Sequence, residues 1–141
     1  MTNFRQLLVW QRAHELSLLV DRLAAALKRK KPSLAKQIER AADSVAANIA
    51  EGRARETDAD FAHFVSIAIA SVTEVEHHLQ RAYDGNLVPQ TVYADLTARC
   101  IVIRRMLIGL RRTLRGQPRP ATPKAVDSVA DLDVQAVNSR Q

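Results

Sequence analysis

The stretch QIERAADSVAANIAEGRAR, Gln37 to Arg55, decides the fold of this chain. Its polar residues Gln37, Arg40, Ser44, Asn48, Glu51 and Arg55 are spaced 3, 4, 4, 3 and 4 apart, which lays them in one row along a helix. Leu34, Ile38, Ala41, Val45 and Ile49 keep the same rhythm and form an apolar seam. Ser and Asn are poor formers of helix interiors, so something other than helix propensity placed Ser44 and Asn48 in the row.

The same rhythm predicts three more helices. The first spans about Phe4 to Lys28, with Val9, Ala13, Leu16, Val20, Leu23 and Leu27 as its seam. Pro32 ends the turn Lys28-Arg29-Lys30-Lys31, and Ser33 is expected to cap a second helix running from Leu34 to Gly52. The third opens at Thr57 with Asp60 three residues on, carries Phe61, Phe64, Ala68, Val72, Val75, Leu79 and Ala82 inward, and stops at Asp84-Gly85-Asn86. The fourth begins near Pro89 and ends near Gly116. Val92, Leu96, Ile103, Leu107, Leu110 and Leu114 make its seam, and Tyr93, Cys100, Ile101 and Ile108 a second apolar strip. Self-association or a wider core face accounts for that strip.

Short connections favour antiparallel neighbours, so the expected fold is all-α, an up-down-up-down four-helix bundle over residues 1–116. Residues 117–141 start Pro-rich and read as a linker-like tail. Val126, Val129, Ala130, Val134 and Val137 form a short amphipathic segment within it, read as a frayed terminus or as a docking element.

Aromatics make up only 4% of the chain, which favours helix over sheet. The single cysteine, Cys100, has no intrachain partner, so a reducing cytoplasm is the expected compartment. No leader-like layout opens the chain, and no apolar run reaches the roughly 18 residues that a membrane span needs.

Residues 1–116 hold 18 Lys/Arg and 12 Asp/Glu, the whole net charge of +6. Bundle topology gathers the cations at two poles. One collects Lys28, Arg29, Lys30, Lys31, Lys36 and Arg81; the other collects Arg53, Arg55, Arg111, Arg112 and Arg115, with Arg5 nearby. Few acids are expected among them. Several cations together neutralise phosphates strongly and without regard to sequence. Complementing helix dipoles at about 0.3–1 kcal/mol each is the competing account. It explains two or three of these residues better than four in a row.

Catalytic signals are weak. Glu74-x-x-His77 matches half of a di-iron bundle motif, but Glu15, Glu39 and Glu51 lack a histidine three residues on, so no metal or other cofactor is expected. His77 and His78 read as a partly exposed pair, and Cys100 as a buried thiol rather than a nucleophile. There is no phosphate loop, and no enzyme is expected.

Phe4, Leu7, Val9, Trp10, Gln11, Ala13, Glu15 and Leu16, the segment Gln37–Arg55, and Phe61, Phe64, Ser66, Ala68, Ser71 and Glu74 together resemble the small bacterial four-helix-bundle proteins, also called 23S rRNA intervening-sequence proteins. The resemblance covers about residues 4–115. It implies an antiparallel four-helix protomer, commonly assembled as a homopentameric ring. Some members are encoded within intervening sequences of ribosomal RNA genes. Accessory proteins of diversity-generating retroelements have a related pentameric architecture and bind a reverse transcriptase and nucleic acid. Two features depart from the pattern: Lys31-Pro32 is followed by Ser33-Leu34-Ala35 rather than by an acid, and Ala70 stands where Gly usually precedes the third-helix serine.

Two roles remain for the row Gln37, Arg40, Ser44, Asn48 and Glu51. It is a structural network pairing with Ser71 and Glu74, or a surface for a subunit, RNA or a polymerase. The first functional expectation is a non-enzymatic oligomer binding RNA or DNA through its basic poles, in its sharper form as a reverse-transcriptase accessory protein. The rival is a protein-binding adaptor with no nucleic-acid contact.

Overall fold

Four α-helices and one 3₁₀ turn account for most of residues 3–121, the part of the chain described by the computed structural model. The amphipathic segment expected around Val126–Val137 lies outside the described residues. Helix α1 runs Leu8–Leu27, α2 Pro32–Arg53, α3 Asp58–Asp84 and α4 Gln90–Leu114. There is no strand among the described residues. None of the four helices is long and apolar enough to cross a membrane.

The helix ends differ from expectation at three places. The first helix does not start at Phe4. Asn3 caps a separate 3₁₀ turn, Phe4–Gln6, and Leu7 is extended at φ −72° and ψ 121°. The turn folds the Phe4 ring edge-on to Trp10, with centroids 5.0 Å apart. Ser33 does not cap α2; Lys31 is the N-cap and Pro32 the first helical residue. Proline suits that position because its φ is preset and its missing N–H needs no partner. Pro89, unlike Pro32, precedes its helix as the N-cap instead of entering it. Thr57 caps α3 as expected, its Oγ1 accepting from the Asp60 backbone N–H at 3.1 Å.

Leu16, Leu27, Ile38, Ile49, Leu79, Ile103 and Leu107 are fully buried in one core shared by the four helices. The buried line of α4 is Leu96, Cys100, Ile103 and Leu107. Cys100, assigned above to a second strip, therefore belongs to the core, and burial pushes its thiol up to about 12. Val92, assigned above to the seam, is 37% exposed. The spacing 4, 3, 4 admitted either residue set, and packing against α1 and α3 selected the one turned toward Cys100.

Helix α2 lies tight against α3 where Gly52 meets Phe61 and Phe64. A Cβ at Gly52 would lie 2.8 Å from Phe61 Cδ1 and 2.8 Å from Phe64 Cβ. Above this point Ser44 meets Ser71, and Arg40 meets Glu74. On the other side of α3, Ser66 meets Arg111, Glu76 meets Arg104, and the Tyr83 and Tyr93 rings stack at 4.2 Å.

Gly52→Ala is expected to destabilise the chain by about 1–3 kcal/mol, the usual range for overpacking. The added methyl forces a buried ring and a helix backbone to move together. Urea unfolding should show a lower midpoint with an unchanged slope.

Candidate nucleic-acid interface

The first pole is built by the α1–α2 turn. The backbone N–H groups of Lys30 and Lys31 both bond back to the Leu27 carbonyl, at 3.1 and 2.8 Å. This tight wrap leaves Lys28, Arg29, Lys30 and Lys31 all exposed at the tip, with Lys36 exposed one turn into α2. Arg81 is exposed in the last turn of α3. Among the described residues, no carboxylate lies within ion-pair range of any of the six.

Acids begin further along the bundle. Asp21 and Glu39 line a hollow between α1 and α2 together with Lys28 and Lys36. Partial burial, and secondarily the Asp21 carboxylate, hold Asp43 above the usual carboxyl range. The stacked Tyr83 and Tyr93 lie where α3 ends and α4 begins. Their spacing across two helices left no one-dimensional signal, and their ring faces are turned on each other.

The second pole is less uniform than expected. Arg55 lies 2.7 Å from Glu51 Oε1, with its guanidinium carbon 4.6 Å from the centre of the Phe64 ring. Arg111 is half-buried and donates to Ser66 Oγ at 3.2 Å. Arg53 and Arg112 are half-buried, and Arg115 is exposed just past α4. Glu51, Glu56, Asp58 and Asp60 belong to the same α2–α3 corner, which corrects the expectation of few acids there. Asp58 and Asp60 occupy the first turn of α3, where the helix dipole favours negative charge.

The polar row runs along the α2–α3 junction. Asn48 Nδ2 donates to Ser44 Oγ at 3.0 Å and to the Ser44 carbonyl at 2.7 Å. Ser44 Oγ and Ser71 Oγ are 2.8 Å apart, and Ser71 Oγ donates to the Ile67 carbonyl at 3.0 Å. One set of protons satisfies all of these: Asn48 to Ser44, Ser44 to Ser71, Ser71 to Ile67. Arg40 lies 3.4 Å from Glu74 Oε1 in an exposed pair, worth little alone. Gln37 is exposed, and Glu51 holds Arg55.

His78 is buried, not partly exposed as expected, whereas its neighbour His77 is exposed. It falls seven residues after Ser71 on the same side of α3, and its Nε2 lies 3.3 Å from Glu74. Two ion-pair groups escaped the sequence reading. Arg99 joins Asp95 and Glu15, each at 3.1 Å, and Arg104 joins Glu76 across α3 and α4. Among the described residues, no group of three or more His, Cys, Asp or Glu side chains is placed to hold a metal ion.

A double-mutant cycle on Ser44→Ala and Ser71→Ala should return a coupling of about 0.5–1.5 kcal/mol in urea unfolding, the net worth of one hydrogen bond. Asp43 gives a pH signature. Its folded pKa is raised, so its contribution to stability is whole below the ordinary value of 3.8 and is lost as pH rises through the folded value. Asp43→Asn should therefore raise the melting temperature at neutral pH and leave it unchanged near about pH 3.

A search of curated proteins returned no match. Six chains of solved structures match. One is the crystal structure of a protein of unknown function from the S23 ribosomal protein family of Bacteroides thetaiotaomicron VPI-5482. It is 23% identical, covers 74% of this chain and 99% of its own, and has a TM-score of 0.71, a likeness of fold. The model of the 23S rRNA-intervening sequence protein family matches residues 5–109, which takes in the first three helices, both ends of the polar row and most of α4. By that match the chain belongs to the 23S rRNA-intervening sequence protein family.

Proposed function

We propose that this chain is a non-enzymatic, oligomeric nucleic-acid-binding protein that engages structured RNA or DNA through its first basic pole. One observation carries the reading: Lys28, Arg29, Lys30, Lys31 and Lys36 are exposed with no carboxylate in ion-pair range among the described residues. Cations left without acids retain their full attraction for phosphate. Arg53, Arg55, Arg111, Arg112 and Arg115 at the second pole are secondary contacts, because Arg55 already holds Glu51.

The protomer in this reading is an antiparallel up-down-up-down bundle over residues 1–116. The pairs Arg40–Glu74 and Ser44–Ser71, then Ser66–Arg111 and Glu76–Arg104, support it, since numbers rise on one helix as they fall on its neighbour. Five copies form a ring that displays the pole repeatedly and multiplies its attraction. Family resemblance supports the count of five. The sharper form has the ring escort RNA to a reverse transcriptase in the cytoplasm. It rests on architectural resemblance, and a reverse-transcriptase gene beside this one is the observation that decides it.

An adaptor without nucleic-acid contact is the second reading. It is favoured by Leu8, Leu18, Val92 and Val102, large apolar side chains left exposed on α1 and α4.

Replacing Lys28, Arg29, Lys30 and Lys31 together by Gln should weaken RNA binding at least about tenfold and flatten its dependence on salt. Fluorescence anisotropy across a salt series measures both. Unchanged binding would move the site to the second pole. No binding by the native chain at low salt would favour the adaptor.

A further inference from the structure

Helix α4 contains a glycine that its own fold does not require. Gly109 sits in the interior of the helix with ordinary helical backbone, and a Cβ built on it meets no heavy atom within 4 Å. Glycine there weakens the helix relative to alanine. Gly52 has its reason in Phe61 and Phe64, and Gly116 in its φ of +64°. Gly109 has neither reason. A bare stretch of helix backbone lets something outside the bundle come close.

The surroundings say what kind of group would come. From Leu96 to Ala121 the sequence contains no Asp or Glu and seven arginines. Three of these are engaged: Arg99 with Asp95 and Glu15, Arg104 with Glu76, and Arg111 with Ser66. Arg105, Arg112, Arg115 and Arg119 have no carboxylate in ion-pair range among the described residues. Arg105 lies one turn before Gly109 and Arg112 one turn after it, on the same face.

The end of the helix shapes a seat. Gly116 N–H bonds to the Thr113 carbonyl and Gln117 N–H to the Arg112 carbonyl, both at 3.0 Å, a Schellman turn made by the positive φ of Gly116. The turn brings Gln117 and Arg119 back over the last coils. Together with Gly109, Arg112 and Thr113 they line a hollow of about 380 Å³. A helix C-terminus carries a partial negative charge of about half a unit, which opposes an anion. Several guanidinium charges outweigh it, and the turn has already bonded two of the end carbonyls.

We infer that the hollow beside Gly109, walled by Arg112, Thr113, Gln117 and Arg119 with Arg105 on its approach, seats a backbone phosphate of the bound nucleic acid. This rests on the nucleic-acid reading and deepens it, giving the secondary contact at Arg112 a built seat remote in sequence from the Lys28–Lys31 turn. The bare helix floor admits the phosphate, the guanidinium groups neutralise it, and the Gln117 side-chain amide donates to its oxygens, while the Thr113 hydroxyl stays bonded to the Gly109 carbonyl at 3.1 Å. A seat of this kind recognises the nucleic-acid backbone and not the base sequence.

Gly109→Leu tests it without unfolding the protein. The side chain projects into open space, so the variant should melt at or above the native temperature while its leucine fills the seat. RNA affinity should fall at least about tenfold in fluorescence anisotropy, and Arg112→Gln should lower the log–log salt slope by roughly one charge. In a separate titration, inorganic pyrophosphate should shift the Thr113 and Gln117 amide resonances of the native chain and leave those of Gly109→Leu in place. Full RNA affinity in Gly109→Leu overturns the inference while leaving the first pole intact. A changed oligomeric mass with unchanged RNA affinity also overturns it and makes the face a contact between copies. A pyrophosphate response in a chain that binds no RNA would retain the phosphate seat and remove the nucleic-acid reading. Neither response would remove both.

Discussion

The close approach of α2 to α3 governs the rest of this structure. At one end of the junction Gly52 lies against Phe61 and Phe64, with no space for a methyl group. Further along, the hydroxyls of Ser44 and Ser71 touch at 2.8 Å, flanked by the buried Ala41, Ala42 and Ala46. Small side chains let the backbones approach, and close backbones make register exacting. A slip of one residue would break the donor chain from Asn48 to the Ile67 carbonyl and drive α2 into an aromatic ring. Register in turn decides which helix ends coincide. In this register Arg40, near the start of α2, meets Glu74, towards the end of α3.

Much of this was legible in the sequence. Seam spacing located all four helices, and the Gln37–Arg55 stretch marked the junction that matters most. What escaped was whatever depends on a second helix. Leu96, Val92 and Cys100 all satisfy a helical seam, and only the neighbours of α4 determine which of them is buried. His78 resembles His77 in sequence, yet one more step around the helix turns it inward. Phe4 fits the helical spacing of α1, but it sits in a separate 3₁₀ turn with its ring edge-on to Trp10. The pairs Glu76–Arg104 and Glu15–Arg99 join residues far apart in sequence, with no spacing rule to reveal them.

Neutralisation, rather than net charge, separates the candidate surfaces. The second pole is as rich in arginine as the first is in lysine, but the chain has put Glu51, Glu56, Asp58 and Asp60 beside it. Two of those acids are there to stabilise the start of α3, whatever else the pole does. Arg55 and Arg111 are occupied with structural tasks, holding Glu51 and Ser66. The Lys28–Lys31 turn has no such task, because the α1–α2 connection is made by backbone hydrogen bonds and Pro32. Four consecutive cations are not needed for that turn. Solvation alone would be met as well by a mixture of signs.

The two functional readings use different parts of the surface. Leu8, Leu18, Val92 and Val102 lie along α1 and α4, on the flank of the helices. The lysines lie at the tip. A contact between copies along the flank would remove apolar surface from water and leave the tip in solvent. In the proposed ring, repetition of the tip would raise the local density of positive charge without any new residue. A chain that needed only to assemble would gain nothing from an acid-free tip, and like charges brought together by a ring would oppose closure. In the proposed ring, keeping them would be a cost to assembly that an anionic partner would remove.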